Sequence, residues 1–154
     1  TQEQRETMAD AVSAVLADTY ALYFKTHAYH WNVTGPRFHD LHMLFETQYN
    51  ELWTATDDLA ERVRALGVMA PKSYAEMDKF ATVKSEAKEA KADGMLNDLL
   101  SGHETVVATI RDALSKAGDN GGDGRHSLSA PQRAREDGLD APLDAGLSQD
   151  FHTA

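Results

Sequence analysis

Four of the seven histidines, His27, His30, His39 and His42, fall within sixteen residues, and a Thr-Gly-Pro turn at 34–36 divides them into two pairs. His30 lies five residues before Gly35 and His42 seven residues after it. If helices on either side of the turn fold back on each other, those two positions sit at similar depth and their imidazoles can converge. Glu46 follows His42 by four residues, one helical turn along the same face. Two imidazoles and a carboxylate suit a first-row transition metal such as iron, manganese or zinc. A blander account stands beside this one: helical histidines are often structural, His27 and His39 can be simply exposed, and Trp31 and Trp53 read as packing residues.

A second acidic pair, Asp57 and Glu61, shares the four-residue spacing. These residues stand fifteen and nineteen positions beyond His42. At the rise of an α-helix that is about 22 to 28 Å, so they cannot reach a metal held by His42 in the same straight helix. Either they pair with Arg62, Arg64 or solvent, or a second copy of the chain brings them across. A two-fold dimer with antiparallel second helices would do so and would form two equivalent sites at one interface.

The elements that must position these residues are helical. Met8, Val12, Val15, Leu16, Thr19, Leu22 and Tyr23 repeat at three- and four-residue steps, so residues 2–33 are expected to form one long helix. Gly35 and Pro36 end it, and a second helix is expected over 37–66, with Phe38, Leu41, Phe45, Leu52, Leu59, Val63 and Leu66 on one side and Gly67 as its stop. The short link forces the two to pack antiparallel. Ser73 and Glu76 have capping-box spacing and start a short helix over 73–80. A third long helix is expected over 93–117, with Met95, Leu96, Leu99, Leu100, Val106, Val107, Ile110 and Leu114 as its buried face. From residue 118 to 154 the composition changes: six of the ten glycines and two of the four prolines lie there, and no helical period survives.

A length of 154 residues suits one domain with a real core. The chain has no cysteine, which excludes disulfides, zinc-thiolate sites and thiol chemistry. Its 25 acidic and 15 basic residues give a formal charge of −10, which suits attraction of cations and opposes general contact with nucleic-acid phosphates. No apolar run approaches the roughly 20 residues of a membrane span, and the polar, acidic start does not read as a signal peptide. A cytoplasmic protein without membrane contact is expected.

The segment K-T-H-A-Y-H-W-N-V-T-G-P-R-F-H-D-L-H-M-L-F-E, followed by D-D-L-A-E-R-V-R-A-L-G, closely resembles the Dps family of miniferritins, over about residues 8–117 and most specifically over 25–67. The resemblance implies an all-α, ferritin-like four-helix bundle with a short helix between the second and third long helices. It implies a homo-oligomer, a hollow dodecamer built from two-fold dimers, that oxidises Fe(II) with hydrogen peroxide at a di-iron ferroxidase centre and stores a ferric mineral core. Carried over by position, His30, His42 and Glu46 match the ligands from one subunit, and Asp57 and Glu61 those from its two-fold partner. Glu46 departs from the more usual Asp. Trp31 matches an aromatic beside the centre, and His27 a variable neighbouring position. The chain has no E-x-x-H, the arrangement by which larger ferritins build a site within one bundle.

Two further departures bear on function. Some Dps proteins bind DNA through a Lys-rich tail, but the first ten residues here hold one cation, Arg5, and the last segment sets Arg125, Arg133 and Arg135 among several Asp. The charge does not favour DNA binding, although nucleoid association stays open. The glycine-rich tail also does not look like the family's last helix. Ala134–Gly146, back-translated and read one nucleotide on, yields HEKTAWMLRSML under one choice of codons. That string is similar to the end of the last helix in many Dps-like proteins, so a frame shift between about Ala117 and Arg133 would account for the tail. Two other classes compete with the ferroxidase and iron store: a non-catalytic nucleoid-associated or structural cage, and a monomeric metal hydrolase using His30, His42 and Glu46 around zinc.

Overall fold

The computed structural model describes residues 1–119. They form α1 (Gln2–Asn32), α2 (Phe38–Ala65), α3 (Tyr74–Asp78) and α4 (Ala92–Asp119). Thr1 caps α1 with a capping box: its hydroxyl accepts from the Gln4 N–H at 3.2 Å, and the Gln4 side chain reaches back to the residue 1 amine. Val33, in extended conformation, ends that helix, and Gly35 turns the chain at φ 101°, where a side chain would be strained. Gly67, at φ 85°, does the same after α2.

α1 is the central helix. Its first half, from Met8 to Val15, packs with Val63 near the end of α2 and with Ala113 and Ala117 near the end of α4. Its second half packs Leu22, Tyr29 and Val33 against Leu41 and Phe45 at the start of α2 and Met95 and Leu99 at the start of α4. α1 is therefore antiparallel to both neighbours, and α2 and α4 run parallel to each other. Phe45, Leu22 and Leu16 are essentially sealed from solvent, each burial being worth roughly 1.5–3 kcal/mol relative to exposure.

Parallel α2 and α4 need a long crossover, and a buried carboxylate holds it in place. Asp18 of α1 accepts from the N–H groups of Thr82 and Val83 at 2.6 and 2.8 Å, and from the hydroxyls of Thr82 and Thr109 at 2.8 and 2.6 Å. One anion thus ties α1, the segment after α3, and α4 together, with its oxygens satisfied as burial demands. A second network joins α1 to α4: Lys25 Nζ bonds Asp98 at 2.9 Å and the Tyr29 hydroxyl donates to the same carboxylate at 2.5 Å. Burial first, and that hydrogen bond second, push the Tyr29 phenol up to about 12.

Three expectations need correction. Gly118 and Asp119 are helical, so the third long helix runs past residue 117. The short helix covers five residues rather than eight, with Ser73 as its cap. The apolar residues of α4 do not form one buried face: Leu100, Val107, Ile110 and Leu114 are 58%, 44%, 38% and 50% exposed. Among the described residues α4 packs chiefly on α1, which can cover only the stripe through Met95, Leu99, Val106 and Ala113. The remaining apolar side chains point away from it. The expectations that concern residues 120–154, the non-helical tail and the frame shift, lie outside the described residues.

Candidate metal centre

The Gly35 turn brings the end of α1 against the start of α2 and stacks the imidazoles of His30 and His42, with ring centroids 3.7 Å apart and planes 17° from parallel. The backbone explains why they lie so close. His30 Nδ1 donates to the His42 carbonyl at 2.8 Å, and His42 Nδ1 donates to the His30 carbonyl at 2.9 Å. His30 sits in the last turn of α1, where carbonyls lack helical partners, so His42 supplies a missing donor. Because both acceptors are carbonyl oxygens, each ring must carry its proton on Nδ1, which leaves each Nε2 with a free lone pair. An imidazole that binds metal through Nε2 needs this tautomer, fixed by a hydrogen bond on its far nitrogen.

Glu46 stands one turn along α2 from His42 and is half-buried. Among the described residues of one chain, no three His, Asp or Glu side chains gather closely enough to hold a metal ion. His30 and His42 are thus brought together, while Glu46 does not close a three-ligand set with them. Asp57 and Glu61 are exposed on the same unbroken helix as His42, about four and five turns along it. No fold of a single chain brings them back to the imidazoles. His39 is exposed and takes no part in the pair.

His27 lies one turn before His30 and stacks on Tyr49 of α2, 3.8 Å between centroids and 16° between planes. The Tyr23 hydroxyl is hydrogen-bonded to its Nδ1 at 3.2 Å. Burial, helped by the nearby His30, lowers the His27 pKa, so the ring favours its neutral form. Trp31 lies 4.2 Å from His27, but it is 59% exposed, and Trp53 is 53% exposed. Neither tryptophan is the buried packing residue that its type suggests; both stand on the outer surface of the α1–α2 pair. Sequence spacing finds the histidines but not their reciprocal backbone bonds. The only signal for those is that the pair flanks a tight turn at nearly equal distances.

A donor set of two Nδ1–H imidazoles with one carboxylate, Glu46, a turn away fits a borderline divalent metal such as Fe(II). Comparison with known proteins agrees in kind. The family model of the ferritin-like domain matches residues 9–128. A low-temperature-induced protein of Nostoc is 39% identical over 120 residues, 77% of this chain and 67% of the relative. The DNA protection during starvation protein of Brevibacillus brevis is 30% identical over 94% of this chain and 90% of its own length. The crystal structure of the Dps protein of Vibrio cholerae, described as a member of a broad superfamily of ferritin-like diiron-carboxylate proteins, superposes with a TM-score of 0.77 at 30% identity, covering 83% of this chain and 80% of that one. With the ferritin-like model matching most of the chain and the Brevibacillus relative 30% identical over nearly all of it, the chain belongs to the Dps family of miniferritins and has that family's ferritin-like four-helix fold.

Proposed function

We propose that this protein binds Fe(II) at sites shared between two subunits, oxidises it with hydrogen peroxide and stores the Fe(III) as mineral inside a homo-oligomeric cage, a dodecamer built from two-fold dimers. The observation that carries this reading is the reciprocal His30–His42 pair, which holds two Nε2 lone pairs ready one turn from Glu46 yet lacks a full ligand set among the described residues of one chain.

The missing ligands come from the register of α2. Glu46 is as far from His42 as Asp57 is from Glu61. One antiparallel pairing of α2 with its copy, with the two-fold axis between Glu51 and Leu52, therefore sets His42 near the partner's Glu61 and Glu46 near the partner's Asp57. The exposure of Asp57 and Glu61, like that of Trp53, is what an uncovered half of such an interface would show. The carboxylates then neutralise the charge of iron as it becomes Fe(III), while the imidazoles keep the affinity for Fe(II). His27 and Trp31 border the pair without a ligating role.

A monomeric zinc hydrolase is disfavoured, because the three residues it needs do not converge within one chain. Among the described residues no helix is long and apolar enough to cross a membrane. The family relationship supports protection of DNA, and the charge of −10 favours a route through removal of iron and peroxide over direct contact with phosphates. The experiment is peroxide-driven Fe(II) oxidation followed by native mass spectrometry of the iron-loaded protein. The expected result is rapid oxidation with ferric iron retained in one closed assembly. Oxidation no faster than in buffer, or a monomer without iron, would sink the proposal.

A further inference from the structure

The His30–His42 pair is only as fixed as the last turn of α1. One of its hydrogen bonds ends on the His30 carbonyl and the other starts from the His30 ring, at 2.9 and 2.8 Å. A shift of that turn therefore moves one imidazole and breaks the bond that orients the other. The end of a helix is its loosest part, because its last carbonyls have no helical partners and its final turn frays. From the α2 side the turn is held by the pair itself. From the opposite side it is held by the residue that precedes His30.

Tyr29 is 1% exposed, and its ring lies in the core with Met95 and Leu99 of α4. Its hydroxyl donates to Asp98 of α4 at 2.5 Å and accepts from the Glu89 N–H at the end of the crossover, at 3.2 Å. Its carbonyl accepts from the Val33 N–H at 2.9 Å, the bond that closes α1. Lys25, one turn earlier on α1, bonds the other oxygen of Asp98 at 2.9 Å. Successive residues of a helix project about 100° apart, so Tyr29 faces α4 and the crossover while His30 faces α2. A buried phenol takes a hydrogen-bond partner wherever it lies. This one takes two, on two different segments, and both lie across α1 from the histidine pair.

We propose that Tyr29 is a positioning residue for the candidate metal centre, a role that rests on the reading of His30 and His42 as ligands: its hydroxyl ties the last turn of α1 to Asp98 and Glu89 and so fixes where His30 presents Nε2. A ligand has to be held within roughly 0.5 Å of its productive place. Without the hydroxyl, the Glu89 N–H loses its acceptor and Asp98 loses a donor, and only ring packing holds the turn on the α4 side.

Cobalt(II) titration of the whole assembled protein tests this role without any oxidation. Co(II) accepts imidazole and carboxylate ligands, and its visible absorbance reports their geometry. The share of the signal that belongs to the pair is the share that His42→Ala loses. In Tyr29→Phe, Co(II) affinity at that site should fall by about tenfold, the usual effect of removing a group that orients a ligand, and the absorbance band should shift. Asp18→Asn, which destabilises α1 far from its last turn, should lower the melting temperature and leave Co(II) affinity unchanged. Parent-like affinity in Tyr29→Phe would overturn the role. Equal weakening in Asp18→Asn would overturn it too, because the effect would then follow stability alone. If Tyr29→Phe does not assemble, Lys25→Met combined with Asp98→Leu withdraws the phenol's acceptor without leaving a buried charge unpaired. The same loss of affinity is expected there, and parent-like affinity would overturn the role. Co(II) binding that survives His42→Ala sinks the ligand reading and the role of Tyr29 with it; binding lost in His42→Ala but kept in Tyr29→Phe sinks the role of Tyr29 alone.

Discussion

His30 and His42 donate their Nδ1 protons to each other's backbone carbonyls, at 2.8 and 2.9 Å across the Gly35 turn. Each ring therefore closes the hairpin with one nitrogen and offers the other outward. His42→Ala removes one proposed ligand and one cap on the end of α1. Peroxide-dependent Fe(II) oxidation should slow by about tenfold or more, while the assembly persists in native mass spectrometry because Leu41 and Phe45 still anchor the start of α2. An unchanged oxidation rate in an intact assembly would refute the site assignment.

The proposed division of each site between two chains makes a sharper prediction. His42→Ala and Asp57→Ala subunits, each slowed alone, should regain activity when co-assembled. A mixed dimer has one site with both defects and one with neither. Random mixing in equal amounts restores about a quarter of the sites, as two-fold symmetry requires. Co-expression followed by stopped-flow oxidation measures this. No recovery in verified mixed assemblies would place Asp57 outside the site.

Local signals carried most of the fold. The apolar repeats of α1 and α2, the Gly-Pro turn and the Ser73 cap are written within a few residues of where they act, and the helix ends fall close to them. Two features escaped because their causes are far away in sequence. Asp18 reads as one more surface acid on a helix, yet its partners lie 64 to 91 residues on, in segments that only the folded chain brings near. On α4 the residue types show two apolar faces, and nothing local says that α1 covers only one. In the site, the histidine pair was legible from its placement around the turn. The exposure of Trp31 and Trp53 was not, because tryptophan on a helix is read by default as core.

Asp18 should be the most sensitive single position for stability away from the site. In Asp18→Asn, one carboxylate oxygen becomes an NH2 group facing donors that it cannot accept from. Loss of hydrogen bonds to a charged acceptor predicts a destabilisation of about 2–3 kcal/mol, with the crossover around Thr82 and Val83 loosened first. Thermal melts and amide exchange at those two positions check this, and an unchanged melting temperature with both amides still protected would refute it.

His103 gives the fold an acid-sensitive point. Its Nε2 is sealed from solvent without a hydrogen-bond partner among the described residues, and burial lowers its pKa below 6.5. The unfolded chain then takes up this proton more readily than the folded one. The stabilisation is complete above about pH 6.5 and is lost as the pH falls through the folded value. His103→Gln should reduce the drop in melting temperature between about pH 7.5 and 5.5. An equal drop in both proteins would show that the ring does not contribute.

The outward face of α4 bears on the end of the chain. Leu100, Val107, Ile110 and Leu114 spread their side chains along nearly four turns of helix without cover from α1. A face of that length is matched by another amphipathic helix laid along it. The sequence from 120 to 154 has no apolar repeat at helical spacing, whereas the string HEKTAWMLRSML, one nucleotide out of frame over Ala134–Gly146, is rich in helix formers, with its Met and Leu residues on one side. Nucleotide sequencing across codons 117 to 146, with the intact mass of the purified protein, tests this. We expect the shifted frame to encode that string and the mass of the natural protein to differ from 16.9 kDa. Codons incompatible with the string would eliminate the frame shift and leave α4's apolar face to be covered by some other surface.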